Sequence, residues 1–451
     1  NGLSDSDRGQ LRTSIVTAAR QLAMPSAADV SNIKMDESKR ILAMKIAVLL
    51  ADLATREFPQ RWQTFVRDLL APVSSGGIWC EPGADAGANT IGVKICLECL
   101  KLITEDCTDS DFNAKISTVR RNDILLGFNE VTRQILPPLF ELLSKQYGDL
   151  NNAKNTLTQM NQYLASSGRT TAQMSPEEKS QYQTQLDKRD AAGTLLADVL
   201  GTIEKFCQSM PLDWMFKVEN GVDFVAALLH LLQEDVAKVQ VLSVACLKQL
   251  AIRKLDQDQW YRVISSLPSA LFEASQASAK RANERGIDPN CIEMLVEQLE
   301  YHRSLSRMGS MLVMCHLAHI TADKDVSSGK GPKFEAVSRY LRLLSEMMSH
   351  QSGVICGEQI NMWVGLLRDP AIVRTNVLSP HLSRVLNAYM THVVKIRWDD
   401  VWDQNHIYAS LIEASWDDDD EYHDWLGNLR SKASQLFRAI GSTEPEIAAT
   451  A

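Results

Sequence analysis

Aromatic side chains are scarce in this 451-residue chain, at 6%, as are glycine, with 22, and proline, with 14. A large β architecture draws on turn residues and strand-forming aromatics, so these shortages argue against one. Long apolar runs are missing too: no window reaches the about 20 apolar residues of a membrane helix. Nothing at the start reads as a signal peptide. The chain opens at Asn1 rather than Met and is read as a piece of a longer protein. Surplus positive charge is also lacking. Lys plus Arg number 47 and Asp plus Glu 56, giving a formal net charge of −9. That excludes a general nucleic-acid coat, but leaves room for a local basic surface and for basic protein partners.

Catalytic and metal signatures are absent as well. There is no P-loop, no GxSxG and no HExxH, so nothing supports an enzyme, a bound metal or a cofactor of the chain's own. Nine cysteines in a chain of this length fit a reducing compartment. Cys96 and Cys99 form a CxxC, but no second pair lies nearby and their neighbours are apolar. They read as buried thiols. His316 and His319 lie three apart in an apolar helix without a third ligand, and read as packing histidines. Gly329-Lys-Gly-Pro332 has too few glycines, in the wrong order, for a phosphate loop.

What is present is helical spacing. The chain is 45% hydrophobic and 23% charged, and too long for one ordinary core. Ile41 to Thr55 is apolar and alanine-rich, and Trp62, Phe65, Val66, Leu69 and Leu70 recur at intervals of three and four. Between them, Arg56-Glu57-Phe58-Pro59-Gln60-Arg61-Trp62 marks a corner. Pro59 has no N–H and suits the first turn of a new helix, and Phe58 before it is biased to an extended backbone. Two helices folded back on each other are the unit of an α-solenoid.

Further amphipathic stretches follow: Leu11–Leu22, Ile91–Ile103, Val119–Tyr147 (kinked or divided at Pro137-Pro138), Ala191–Phe206, Val222–Leu232 and Val236–Leu250. Beyond them come Trp260–Phe272, Cys291–Ile320, Phe334–Met348, Val354–Leu367, Leu378–Val394 and a last helix to about Ile440. Thr104–Asn113, Ser275–Asn290 and Lys324–Lys333 read as polar links, and Trp398–Trp416 as a short mixed segment. Helix pairs recur at about the 40–47 residues of HEAT or armadillo units. The fold class is therefore all-α, an α-solenoid of HEAT-type hairpins. Three segments are expected: repeats over 1–147, a polar insertion or flexible segment over 148–190, and further repeats over 191–451.

Charge supplies the remaining signals. Asp417, Asp418, Asp419, Asp420 and Glu421 open the last helix. Acidic residues there cap free N–H groups and oppose the helix dipole. Four aspartates exceed what capping needs, which leaves a contact for a basic partner as the other reading, with Arg430 as the helix-associated partner of the run. Arg120-Arg121, Lys188-Arg189 and Lys280-Arg281 read as solvated faces, a few of which could line a surface that meets a phosphate backbone.

The corner also carries a resemblance. Arg56, Glu57, Phe58, Pro59 and Trp62, followed by Phe65, resemble the Arg/Lys-Glu-Trp-Pro-x-x-Trp-Pro segment of exportin-type karyopherins. Phe58 stands where Trp is usual, and Gln63 where a second Pro is usual. Leu102-Ile-Thr-Glu-Asp-Cys107, Arg120-Arg-Asn-Asp-Ile124, Leu212-Asp-Trp-Met215 and Met362-Trp-Val-Gly-Leu-Leu367 resemble, in the right order, segments of the exportin-5 family. The stretches 148–190 and 324–333 match poorly. The resemblance implies a nuclear export receptor, shuttling between nucleus and cytoplasm and lacking its first repeat here. Such a receptor binds Ran-GTP, structured RNA cargo such as pre-microRNA hairpins, and nucleoporins; tRNA and RNA-bound proteins are further cargo candidates. It needs no membrane, and the GTP is held by Ran. Two alternatives stay open: an exportin with protein cargo only, and a HEAT scaffold with no transport role.

Overall fold

The computed structural model describes residues 4–23, 37–70, 90–108, 117–207, 211–216, 223–284, 296, 298–350, 352–394, 412, 414–416 and 418–449. Among them every regular element is helical. No described helix is long and apolar enough to cross a membrane. The described residues form two compact units, one up to Pro211 and the other from Leu212 onward.

The first unit holds α1 (Asp5–Ala23), α2 (Glu37–Glu57), α3 (Phe65–Leu70), α4 (Thr90–Thr108), α5 (Thr118–Ser166) and α6 (Pro176–Cys207). α2 packs on α4 and α4 on α6, α1 lies against α2 and α4, and α3 packs on α5. The stripe expected after the corner is real: Phe65, Val66, Leu69 and Leu70 are all buried.

Two expectations in this unit need correcting, and a third is narrowed. Pro59 does not begin a helix: it lies in the turn between Glu57 and Phe65, where the Phe58–Pro59 peptide is cis. Phe58 N–H still donates to Ala54 O at 2.9 Å, so the helical bonding of α2 runs up to the proline before it breaks. Pro137 and Pro138 do not divide α5, which continues through both. The stretch 148–190 is not left out of the packing: the second half of α5 and the first half of α6 fold into a hairpin. Leu150, Ala153, Leu157, Leu164 and Met174 are buried in its seam. Leu150, Ala153, Leu157 and Leu164 recur at three, four and seven, enough to join two helices, while composition, averaged over all faces, reads as polar.

The tip of that hairpin is held by charge. Arg169 Nη1 and Nη2 donate to the Glu178 carboxylate at 3.1 and 2.7 Å, and Ser175 N–H donates to it at 2.7 Å. Bonds from Arg169 and from the Ser175 backbone hold the Glu178 carboxyl down at about 2, below its ordinary 4.5. A depressed carboxyl supports the fold above its unfolded value and loses that support as pH falls through its folded one. Amide protection around Ser175–Lys179 should therefore be constant above about pH 4.5 and fall between 4.5 and about 2. Glu178→Gln should lose this pH dependence in hydrogen exchange; an unchanged profile would mean the tip is held by its backbone alone.

The second unit is built of two rows. One consists of α8 (Phe224–Leu231), α10 (Gln257–Glu284), α14 (Pro332–Met347) and α17 (Ser379–His392). The other consists of α9 (Ala237–Ala251), α11 (Leu299–Met314), α15 (Gly353–Arg368) and α18 (Asp419–Thr443). Each helix packs on the next in its row, and the pairs α8–α9, α11–α14, α14–α15 and α17–α18 tie the rows together. This is a stack of helical hairpins of the HEAT type. The short α7 (Leu212–Phe216) precedes it. α12 (Leu317–Ala322), α13 (Lys324–Ser328) and α16 (Pro370–Arg374) lie in the links, and α19 (Pro445–Ala449) follows.

Sequence and structure differ at the link boundaries. α10 extends to Glu284, through part of the stretch expected as a polar link. The helix expected over 291–320 is, in its described part, α11 and α12, separated at Cys315-His316. The expected loop 324–333 contains α13, capped by Asp323, whose carboxylate accepts from Asp325 N–H at 2.8 Å. Thr104 also belongs to a helix, since α4 continues to Thr108. The segment Trp398–Trp416 lies mostly outside the described residues.

Candidate functional site

The corner between α2 and α3 is the most heavily built local feature of the first unit. Phe58 is 1% exposed, and its ring lies 5.7 Å from Phe65 and 5.3 Å from Phe128. Trp62 stands edge-on to Phe65 at 4.9 Å and donates through Nε1 to Asp68 at 3.0 Å. Glu57 is 3% exposed, with Arg12 Nε 3.4 Å from its carboxylate. Arg12 also covers the Trp62 ring at 5.6 Å. Arg56 lies in the last turn of α2 and is exposed.

Two residues from α5, Arg120 and Gly127, hold the corner. Arg120, expected on a solvated face, donates from Nε to Thr55 O at 2.8 Å and also to Phe58 O and Gln60 Oε1. Burial pushes its guanidinium down from its ordinary value. Gly127 leaves room for the turn: a Cβ there would stand 2.9 Å from both Phe58 Cε1 and Pro59 Cγ. The doubled arginine at 120–121 and the family-like segment Arg120–Ile124 marked the first of these without showing its contacts, and Gly127 gave no signal. Among the remaining basic pairs, Arg189 bonds its neighbour Asp190 at 2.7 Å, and the side chain of Arg281 lies outside the described residues.

At the start of α18, Asp417 lies outside the described residues. Asp418 is the N-cap, its side chain accepting from Glu421 N–H at 2.8 Å. Asp419, Asp420 and Glu421 occupy the first turn and are exposed. One aspartate thus completes the cap, and three acidic groups face solvent beyond it. Arg430 is exposed on the same helix, nine residues beyond Glu421, about 13 Å along the axis.

The remaining motifs are structural. Cys96 and Cys99 are fully buried, and burial pushes both thiols well up, away from the reactive thiolate. The rings of His316 and His319 stack at 5.5 Å and bond the Ala251 and Leu255 carbonyls at 3.1 and 2.9 Å. Burial lowers His316, so the ring is a neutral clasp on the end of α9. Among the described residues no group of three or more His, Cys, Asp or Glu is placed to hold a metal. Between α8 and α10 lies a groove of about 480 Å³. Its polar groups pair with each other, Arg262 with Asp223 and Gln233 with Glu273.

On the solvent faces of the second unit, several arginines share a carboxylate. On α11 and α15, Arg303 and Arg307 share Glu358, at 3.4 and 2.7 Å. On α14 and α17, Arg342 and Arg384 share Glu346, at 2.9 and 3.0 Å. Burial first, then this arginine pair, holds the His381 imidazole down at about 4. On α15 and α18, Arg368 Nη2 donates to Gln435 Oε1 at 3.1 Å, with Arg438 one turn further along.

Two family models match the chain. One, described as exportin 1-like protein, matches residues 39–250, and the other, described as the exportin-5 family, matches residues 297–451. No curated protein matches it.

Proposed function

Because this chain belongs to the exportin-5-like karyopherins, a family of nuclear export receptors, we propose that it binds Ran-GTP and structured RNA cargo and carries them through the nuclear pore. The observation that carries this reading is the pair of matches, in order along one chain of stacked helical hairpins. Ran brings the GTP, so the chain needs no cofactor, and its hairpin layers meet nucleoporins in transit between nucleus and cytoplasm. Stacked hairpins suit the task because each repeat contacts only its neighbours, leaving long faces for a large partner. Duplex RNA is read by shape through phosphate and 2′-hydroxyl contacts, which exposed arginines supply. The exposed Asp419, Asp420 and Glu421 are a contact for a basic partner.

A second reading, protein cargo alone, is favoured by the net charge of −9. A pull-down with the full-length protein separates the two. It compares Ran in its GTP and GDP states, with and without a labelled hairpin bearing a 3′ overhang. Hairpin captured only with Ran-GTP, and less as salt rises, is the expected result. Ran-GTP without hairpin would leave a protein-cargo exportin, and equal binding of both Ran states would end the transport reading. Asp419→Lys/Asp420→Lys should weaken the basic partner's binding in the same assay while the helix stays capped by Asp418.

A further inference from the structure

Arginines on the face shared by α11, α15 and α18 differ in how their charge is met. Arg303 and Arg307 are answered by Glu358, and Arg307 is held through two nitrogens, Nε at 3.1 Å and Nη2 at 2.7 Å. Arg368 is exposed, and its hydrogen-bond partner is a neutral amide, Gln435. Arg438, also exposed, lies three residues beyond Gln435, which puts it on the same helical face. Among the described residues no carboxylate stands within ion-pair distance of either guanidinium.

The carboxylates nearest in sequence are engaged elsewhere. Asp369 caps α16, accepting from Ala371 and Ile372 N–H at 2.9 and 3.4 Å. Glu444 accepts from Ser379 Oγ at 2.6 Å. Asp424 is eleven residues back on α18, about 16 Å along the axis from Gln435. Within a chain of net charge −9, this is a place where two fixed positive charges are left uncompensated. A guanidinium held at one nitrogen keeps its other donors free in a planar fork, the geometry that suits a phosphate.

We propose that Arg368 and Arg438, on either side of Gln435, hold a backbone phosphate of the RNA cargo, with Gln435 orienting Arg368 without neutralising it. This rests on the RNA reading given above. Arg303 and Arg307, already paired with Glu358, contribute less.

The test is hairpin binding by the full-length protein with Ran-GTP, followed by fluorescence anisotropy over a range of salt concentrations. Arg368→Ala/Arg438→Ala should weaken binding roughly tenfold near physiological salt. It should also flatten the dependence of log affinity on log salt by about 1, the share of one phosphate. Gln435→Glu is the sharper variant. It gives Arg368 the missing carboxylate, so it should weaken the hairpin while leaving the melting temperature and Ran-GTP binding unchanged or higher. A merely structural Arg368 would predict no loss of hairpin binding from that change. Wild-type binding with affinity and salt slope unchanged in both variants would overturn the proposal. Equal losses of hairpin, Ran-GTP and thermal stability would do so too. No hairpin binding by the wild type would overturn the RNA reading and this site together.

Discussion

Arg120→Met should cost about 3 kcal/mol and lower the melting temperature by roughly 6–12 °C. Methionine keeps much of the aliphatic stem but removes the donors that meet Thr55 O, Phe58 O and Gln60. Thr55 and Phe58 are 6% and 1% exposed, so water reaches their carbonyls poorly once the guanidinium is gone. Each buried acceptor left unpaired costs about 1–3 kcal/mol, and two of the three here are backbone carbonyls at a chain reversal. Arg120→Lys should rescue little, because an ammonium lacks the spread of a planar fork that reaches three acceptors at once. Gly127→Ala attacks the same corner from the other side, pushing on Phe58 and Pro59, and should cost about 1–3 kcal/mol. Calorimetry reads the stability, and hydrogen exchange at the end of α2 locates it. A change within about 0.5 kcal/mol for Arg120→Met would show that the aromatic cluster holds the corner without the clasp.

The features that sequence reading found most readily are those that repeat. Apolar residues at intervals of three and four located the helices around the corner and those of both rows in the second unit, because each helix must bury a stripe whatever its partner. The corner itself was legible from Pro59 and its aromatic neighbours. Arg120 was not, since a clasp on backbone carbonyls is a long-range contact, 65 residues from Thr55. Gly127 was hidden for the same reason: its role appears only when Phe58 and Pro59 come to rest on it. The hairpin over 148–190 was misjudged because a narrow seam between two helices needs few apolar residues, and an average over polar faces conceals them. The acidic start of α18 was legible as a cap, with Asp418 in the capping position. Nothing in a list of charges distinguishes Arg368 from Arg307, because the difference lies in whether the residue across the helix pair is a glutamine or a glutamate.

The two glycines of Gly329-Lys-Gly-Pro332 should differ sharply in what they tolerate, although the sequence presents them as a matched pair. Gly329 sits at φ 68, ψ 21, the left-handed conformation that ends α13, with its nearest neighbour, Thr375 O, 3.9 Å from a Cβ. Asparagine adopts that conformation readily, so Gly329→Asn should cost under about 1 kcal/mol. Gly331 sits at φ 105, ψ 170, where side chains are excluded. A Cβ there would also stand 2.6 Å from Asp325 Oδ2. Gly331→Ala should cost about 3 kcal/mol, from backbone strain and from displacing that carboxylate. The damage should reach further than the loop. Gly331 fixes where Pro332 starts α14, and so where Lys333 meets Asp323 at 3.1 Å and covers the Tyr261 ring at 4.8 Å. Asp323 in turn accepts from Gln257, in the first turn of α10, at 2.9 Å. One misplaced loop residue would therefore loosen α10 from α14, neighbours in one row. Urea unfolding of the two variants gives the comparison, and hydrogen exchange at Gln257–Tyr261 gives its reach. Equal tolerance at both positions would mean that the link relaxes to another backbone path and that α14 does not depend on Gly331 for its start.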